Sequence, residues 1–272
     1  KGVGITLDKE FWMPESGEAS FRLIFPPLPK GTKTVDFIEG DEEGAFKIWG
    51  IHLDGSPANS SLAGKKNPKE DPVLEKPEFK NGLGILKGHI AGYKPEMGLK
   101  GRAWVSNILT GSNDEYDITV QSDGNFKLEI PLYYLTSLNI TSGFMNGQIY
   151  LKPGETTSVE INFPEIDKPS LGEKYYFTGA MAALNNEACN SSLRFVSLTP
   201  KTQEEYMQMF SDISSMNADQ FKAYWMDRYQ KEKAALDSHT ELSDAYRTLL
   251  QNSLKKDLAE QLLSITGMTE YA

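Results

Sequence analysis

The chain has 272 residues, with 28 Lys plus Arg, 38 Asp plus Glu, one cysteine and a formal net charge of −10. A negative chain repels a phosphate backbone, so we expect no nucleic-acid binding. A single cysteine excludes a disulfide scaffold and an internal Cys-x-x-Cys redox pair. No apolar run is long enough for a membrane-spanning helix. The length suits about two domains.

Residues 1–54 predict a partial, immunoglobulin-like β-module. Phe21–Phe25, Thr34–Ile38 and Phe46–Leu53 are rich in β-forming residues and are separated by Pro- and Gly-rich turns. A sheet of so few strands is marginal alone, so we expect partner strands upstream of Lys1. The first residues lack an initiator methionine and a signal-peptide pattern, which is expected if a targeting segment has been removed.

Residues 55–81 predict a linker. The segment is dominated by Gly, Ser, Pro, Asn and Lys and contains few apolar residues. Its prolines favour extended geometry over helix, so we expect it to space two β-regions.

Residues 82–166 predict an antiparallel β-sandwich. Short β-forming runs recur about every ten residues with turn residues between them, which is typical of this architecture. The runs are Gly88–Tyr93, Lys100–Val105, Tyr116–Val120, Phe126–Ile130, Ser137–Thr141, Gln148–Leu151 and Thr157–Ile161. Between two of them, Ser122–Asn125 contains Asp-Gly, which predicts a tight hairpin.

Residues 167–272 predict a helical connector of about four helices. We expect a first helix over Tyr175–Val196, a second one capped at Thr199–Pro200 and a third one capped at Asn217. The leucine stripe over Leu242–Leu262 predicts the last helix, with Gly267 at its end. The fold class is therefore α+β and multidomain, with the β-regions preceding the helices.

No residue pattern predicts catalysis, cofactor binding or a metal site. Cys189 falls inside the first predicted helix without nearby cations, so we expect a small buried side chain instead of a reactive thiol. His52, His89 and His239 lie in separate modules with no ligand at metal-binding spacing. The acidic run Glu39–Glu43 lacks an EF-hand frame and is interpreted as a solvated turn.

Three tryptophans on predicted β-segments are the candidate binding residues: Trp12, Trp49 and Trp104. Exposed indole rings could stack on a sugar or a peptide, but aromatic side chains equally fill sandwich cores. The sequence leaves both interpretations open, and the exposure of the three rings distinguishes them.

The order of the modules resembles a known family. Lys9–Ser20, Pro26–Lys33, Asp36–Gly40 and Phe46–Ile51 resemble the N-terminal region of thiol-disulfide oxidoreductases of the TlpA type, which belong to the cell envelope of Gram-negative gut bacteria. Their small accessory sandwich is similar at Gly88–Tyr93, Asp123–Phe126, Ile130–Leu132 and Ile149–Glu155. Phe177–Glu187 is similar to the start of the helical connector that follows it.

In that family a thioredoxin-like domain with Trp-Cys-x-x-Cys follows the helices. The resemblance therefore implies a non-catalytic accessory region in the periplasm or cell envelope, with or without a membrane anchor. Its partners would be that C-terminal redox domain and envelope proteins carrying disulfides. No catalytic residue and no cofactor is carried over. The alternative hypothesis is a cell-surface protein that binds a glycan or a peptide through exposed aromatic residues.

Overall fold

The computed structural model describes residues 2–4, 6, 9, 11–40, 46–55, 73, 74, 76, 78–107, 111–162, 174–191, 196–200 and 202–269. They belong to two compact units, Lys1–Asn59 and Ser60–Ala272. β-Strands precede four helices in the C-terminal region, which confirms the α+β fold class. Most of the predicted linker, and residues 41–45 of the acidic run, lie outside the described residues.

The described strands of the first unit form two short antiparallel ribbons. β1 (Gly2–Val3) pairs with β2 (Arg22–Leu23), and β3 (Thr34–Ile38) pairs with β4 (Lys47–His52). The register of β3 shifts at Asp36, whose carboxylate accepts the Gly50 N–H at 2.8 Å. None of the described residues of this unit is buried. The ribbons therefore have no enclosed core among the described residues.

The second unit begins with two four-stranded sheets. Their strands are β5 (Gly82–Ala91), β6 (Lys100–Asn107), β7 (Ser112–Thr119), β8 (Asn125–Leu132), β9 (Thr136–Ser142), β10 (Asn146–Leu151), β11 (Thr156–Asn162) and β12 (Tyr175–Gly179). One sheet has the order β10-β9-β6-β7 and the other has the order β12-β11-β5-β8. All pairs are antiparallel except β5 with β11, which run parallel. A short 3-10 helix, Pro95–Met97, connects β5 to β6.

The core lies between the two sheets. Side chains of β8 alternate strictly between exposed and buried, as expected for a strand with one face on a core. Members of both sheets meet in one apolar cluster that includes Leu86, Ala103, Phe126, Ile140, Ile149, Ile161 and Phe177. The seven predicted strands all lie within observed strands or overlap them.

The hairpin prediction at Ser122–Asn125 was wrong in its pairing. The turn itself forms, because Gly124 has a φ of 83° and its N–H donates to the Gln121 carbonyl at 2.9 Å. However, β7 pairs with β6 and β8 pairs with β5, so the chain passes from one sheet to the other. An Asp-Gly pair fixes the local backbone of a turn, but it does not determine which strands become hydrogen-bonded neighbours.

The first helix is shorter than expected. Tyr175–Gly179 forms strand β12, paired antiparallel with β11, and the helix α1 covers Ala182–Asn190. The prediction of helix from Tyr175 onward was therefore wrong for the first residues. Tyr175 and Phe177 are buried and Tyr176 is half-buried, which is a period of two. Aromatic residues at that period favour a half-buried strand.

Three more helices follow among the described residues: α2 (Gln203–Ile213), α3 (Ala218–Asp237) and α4 (Asp244–Thr269). The predicted cap at Asn217 is confirmed, with a reciprocal capping box to Gln220. The cap of α2 is Thr202, not Thr199, and Thr202 accepts the Glu205 N–H at 3.1 Å. Gly267 does not end α4, since one glycine costs a helix only about 1 kcal/mol.

The helices have a second apolar cluster of their own. It includes Leu184 of α1, Trp225 of α3 and Leu250 of α4, together with Tyr150 of strand β10. The backbone of Tyr150 is part of strand β10, whereas its side chain packs in the helical cluster. The sandwich and the helices are thus packed together through this residue.

Candidate functional site

Of the three predicted tryptophans, two belong to the first unit and one belongs to the second. Trp12 is 84% exposed and lies in a loop, so its assignment to a β-segment was wrong. Trp49 lies on β4 and is half-buried. Trp104 lies on β6 of the other unit and is also half-buried. None of the three rings is a core residue, so stacking recognition remains a hypothesis for each of them.

The residues considered for chemistry have structural partners. Cys189 is buried, and its thiol donates to the Gln148 carbonyl at 3.6 Å. His89 Nδ1 lies 2.9 Å from Glu160 Oε1, and His239 Nδ1 lies 2.7 Å from Glu241 Oε1. Within the described part of the chain, no three His, Cys, Asp or Glu side chains are grouped so that they could hold a metal ion.

Helix α1 closes one side of the sandwich. This side is formed by β10 and β12, the edge strands of the two sheets. Asn185 accepts the Tyr150 N–H at 2.7 Å and donates to the Tyr150 carbonyl at 2.9 Å. The neighbouring Asn186 accepts the Phe177 N–H at 2.6 Å and donates to the Phe177 carbonyl at 3.1 Å. Each side-chain amide thus makes the two backbone hydrogen bonds that a further strand would make at that sheet edge.

A second pair repeats the arrangement one helical turn later. Cys189 follows Asn185 by four residues and contacts β10, while Asn190 follows Asn186 by four residues and donates to the Tyr175 carbonyl of β12 at 3.0 Å. Positions four apart share one helix face, so two adjacent stripes of α1 serve the two edges. Asn185 and Asn186 are 0% and 2% exposed. We call Asn185, Asn186, Cys189 and Asn190 the α1 clasp.

Glu187 connects the same helix to α4. Its carboxylate accepts the Ser243 backbone N–H at 2.7 Å and also the Ser243 hydroxyl. The Ser243 hydroxyl in turn accepts the Tyr246 N–H at 3.1 Å and so caps the start of α4. A carboxylate is also favoured there by the positive end of the helix dipole. Three consecutive residues of α1, Asn185, Asn186 and Glu187, therefore hydrogen-bond this helix to both sheets and to α4.

The ring of Tyr150 is enclosed at this junction. Its hydroxyl lies 3.1 Å from Gln148 Oε1 and donates to it. Burial raises the pKa of Tyr150 to about 12, with a smaller contribution from Cys189. The phenol consequently keeps its proton at ordinary pH, where it serves as a packed hydrogen-bond donor and not as an acid or base.

A groove of about 550 Å³ lies between the outer face of the β10-β9-β6 strands and helix α4. We call it the sheet–helix groove. Its floor includes Trp104, Asn139 and Gln148, and its helical wall includes Asn252, Ser253 and Lys256. Trp104 pairs in register with Asn139, and Asn139 pairs with Gln148, so the three floor side chains form one row across three strands.

Sequence reasoning found Trp104 but missed the α1 clasp and the rest of the groove. The signal for the clasp was available in Asn185–Asn186, since asparagine is a poor residue for a helix interior and its amide favours hydrogen bonds to backbone groups. Asn139 and Gln148 carry no such signal, because their place beside Trp104 depends on the order of the strands.

Comparisons with known proteins give no family. No family model and no curated protein matches the chain. Among solved structures, a candidate cell adhesion protein of Bacteroides ovatus ATCC 8483 aligns with 15% sequence identity and a TM-score of 0.22. The alignment covers 37% of this chain and 44% of that protein. No helix in the described ranges has both the length and the apolar character to cross a bilayer.

Proposed function

We propose that this chain is the non-catalytic accessory region of a TlpA-type thiol-disulfide oxidoreductase in the periplasm or cell envelope. Its role is to hold a thioredoxin-like redox domain at a set distance from the sandwich. The observation that carries the proposal is the α1 clasp, together with the bond from Glu187 to the start of α4. These hydrogen bonds join α1 to both sheets of the sandwich and to the start of α4.

A spacer has to resist bending between its two ends. The amide pairs of Asn185 and Asn186 are buried, and breaking either pair leaves two backbone groups without partners at a cost of about 1–3 kcal/mol each. Helix α4 extends from this anchor for 26 residues, which is about 39 Å at about 1.5 Å per residue. Such a helix transmits the orientation of the sandwich over a distance comparable to a small domain.

The chemistry is assigned to another domain because the single thiol here is enclosed. Cys189 is 3% exposed and faces the Gln148 carbonyl within the clasp. Disulfide exchange requires an accessible thiolate, which Cys189 does not offer. The proposed partners are accordingly a C-terminal thioredoxin-like domain and envelope proteins that carry disulfides.

The gene provides the first test. We expect the reading frame to continue past codon 272 into a Cys-x-x-Cys motif, about sixty to a hundred residues further on. The longer protein should reduce insulin with dithiothreitol, whereas residues 1–272 and their Cys189→Ala variant should both stay at background. A reading frame that stops at codon 272, or insulin reduction by the purified fragment that Cys189→Ala abolishes, would contradict the proposal.

Recognition of a glycan or a peptide is a second candidate function, favoured by one observation. Trp104 is half-exposed on the floor of the sheet–helix groove, beside amide and hydroxyl side chains. Binding there does not conflict with a spacer role, because the groove leaves the clasp contacts intact.

A further inference from the structure

The floor of the sheet–helix groove presents one aromatic ring and two amides in a row. Trp104, Asn139 and Gln148 stand on neighbouring strands in matched register. Strands are about 4.8 Å apart, so the row extends over about 10 Å. An indole offers a flat apolar surface, while an amide both donates and accepts hydrogen bonds. This combination suits a ligand with apolar C–H faces and hydroxyl edges.

Both charged side chains that line the groove already have partners within the protein. Asp257 accepts the Ser197 hydroxyl at 2.7 Å and the Leu198 N–H at 3.2 Å. Lys256 pairs with Glu260 at 3.0 Å. The other polar groups named on the floor and wall are neutral amides and hydroxyls. A neutral ligand can therefore bind while both side chains keep these partners.

The strand beside the groove cannot accept an added peptide strand. Peptide recognition by strand addition needs a free row of backbone groups at a sheet edge. On β10, the N–H and carbonyl of Tyr150 are bonded to Asn185, and the Gln148 carbonyl receives the Cys189 thiol. The α1 clasp thus occupies the edge that an extended peptide would use.

We propose that the sheet–helix groove binds a neutral oligosaccharide. Trp104 stacks on one sugar ring, and the amides of Asn139 and Gln148 bond the hydroxyls of the next. Ser253 and Asn252 of α4 face the opposite edge of the ligand. The inference deepens the second candidate function and is independent of whether a redox domain follows the chain.

The test uses the whole 272-residue chain and an array of neutral plant, host and microbial oligosaccharides, followed by calorimetry with the best binder. Trp104→Ala should weaken binding by at least about tenfold, since it removes the stacking surface. Ser253→Trp, a change at an exposed helix position, should fill the groove and weaken binding to a similar extent. The matched control Tyr206→Ala removes an exposed ring of α2 that does not line the groove, and it should leave binding unchanged. Affinity should also stay constant between about 50 and about 500 mM salt.

Thermal unfolding separates misfolding from loss of the site, because Ser253→Trp keeps the core intact. Binding that survives both Trp104→Ala and Ser253→Trp overturns this site, and so does binding that Tyr206→Ala abolishes. No binding of any neutral oligosaccharide at millimolar concentration overturns the inference. Binding of a peptide library that requires Trp104, with no sugar bound, overturns it in favour of the other ligand class.

Discussion

The two sides of the sandwich protect their edge strands in different ways. On one side, β10 and β12 are covered by α1, whose asparagine amides bond the backbone directly. On the other side, β7 and β8 are the sheet edges and carry Asp114, Glu115 and Asp117 on the first and Pro131 on the second. Charges and proline discourage pairing with another chain without covering the strand. We call the side formed by β10 and β12 the closed side, because hydrogen bonds to α1 cover it. We call the side formed by β7 and β8 the open side, because charges and a proline protect it.

The difference shows what a closed edge adds. Protection by charge requires no particular partner, so β7 and β8 should tolerate substitutions that preserve the charges or the proline. Closure by α1 requires specific amides at fixed positions, but it also attaches the helices to the sheet. Stability should therefore be concentrated on the closed side and solubility on the open side.

The largest effect is expected from Asn185→Ala. The substitution leaves the buried N–H and carbonyl of Tyr150 without partners, so the free energy of unfolding should fall by about 3 kcal/mol. Urea unfolding followed by circular dichroism measures this change. Asn252→Ala, at an exposed position of α4, is the matched control and should change stability by less than about 0.5 kcal/mol. A loss below about 1 kcal/mol for Asn185→Ala would show that the clasp does not hold the edge.

The next effect is a pH dependence that belongs to the closed side. Because burial raises the pKa of Tyr150 to about 12, the folded protein keeps a proton that the unfolded chain releases near pH 10. The resulting stabilisation is present below pH 10 and is lost as the pH rises to about 12, a fall of about 2–3 kcal/mol. Urea unfolding at a series of pH values measures it. Tyr150→Phe should lose this part of the fall, whereas Tyr206→Phe, at an exposed ring, should retain it. Identical pH profiles for wild type and Tyr150→Phe would refute the assignment.

A smaller effect is expected from Glu187→Ala, which detaches α4 from α1. The Ser243 N–H and hydroxyl lose their acceptor, and stability should fall by about 1–2 kcal/mol. Hydrogen exchange should accelerate at the first amides of α4 while the sandwich amides are unaffected. Glu260→Ala removes an exposed pair with Lys256 and should have little effect. If hydrogen exchange accelerated equally at the sandwich amides, the Glu187–Ser243 contact would stabilise the sandwich as well as the start of α4, which contradicts the prediction.

The sequence predicts those features that depend on local chemistry. Period-two alternation locates the strands of the sandwich, and Asn217 with Gln220 marks the start of α3, because both signals lie within a few residues. The partner of β8 was not predictable from Asp-Gly, since pairing is decided by residues of β5 about forty positions away. The same limit applies to the candidate site. Trp104 is visible as an aromatic residue, but its neighbours Asn139 and Gln148 follow from strand order alone.

The smallest change in the free energy of unfolding is expected from Asp114→Val on the open side. This substitution should instead promote self-association of the protein. Asp114 lies opposite the buried Val105, so it occupies a core-facing position at the exposed end of β7. An inward-facing charge on an edge strand prevents pairing with a second copy. Asp114→Val should leave the free energy of unfolding within about 0.5 kcal/mol of wild type but promote self-association, measured by light scattering over a concentration series. Asp227→Val, at an exposed position of α3, is the control that removes one charge away from any sheet edge. If both variants associate equally, the change in net charge explains the effect and edge protection does not. If only Asp114→Val associates, the charge on the open side prevents pairing with a second copy, as α1 does on the closed side.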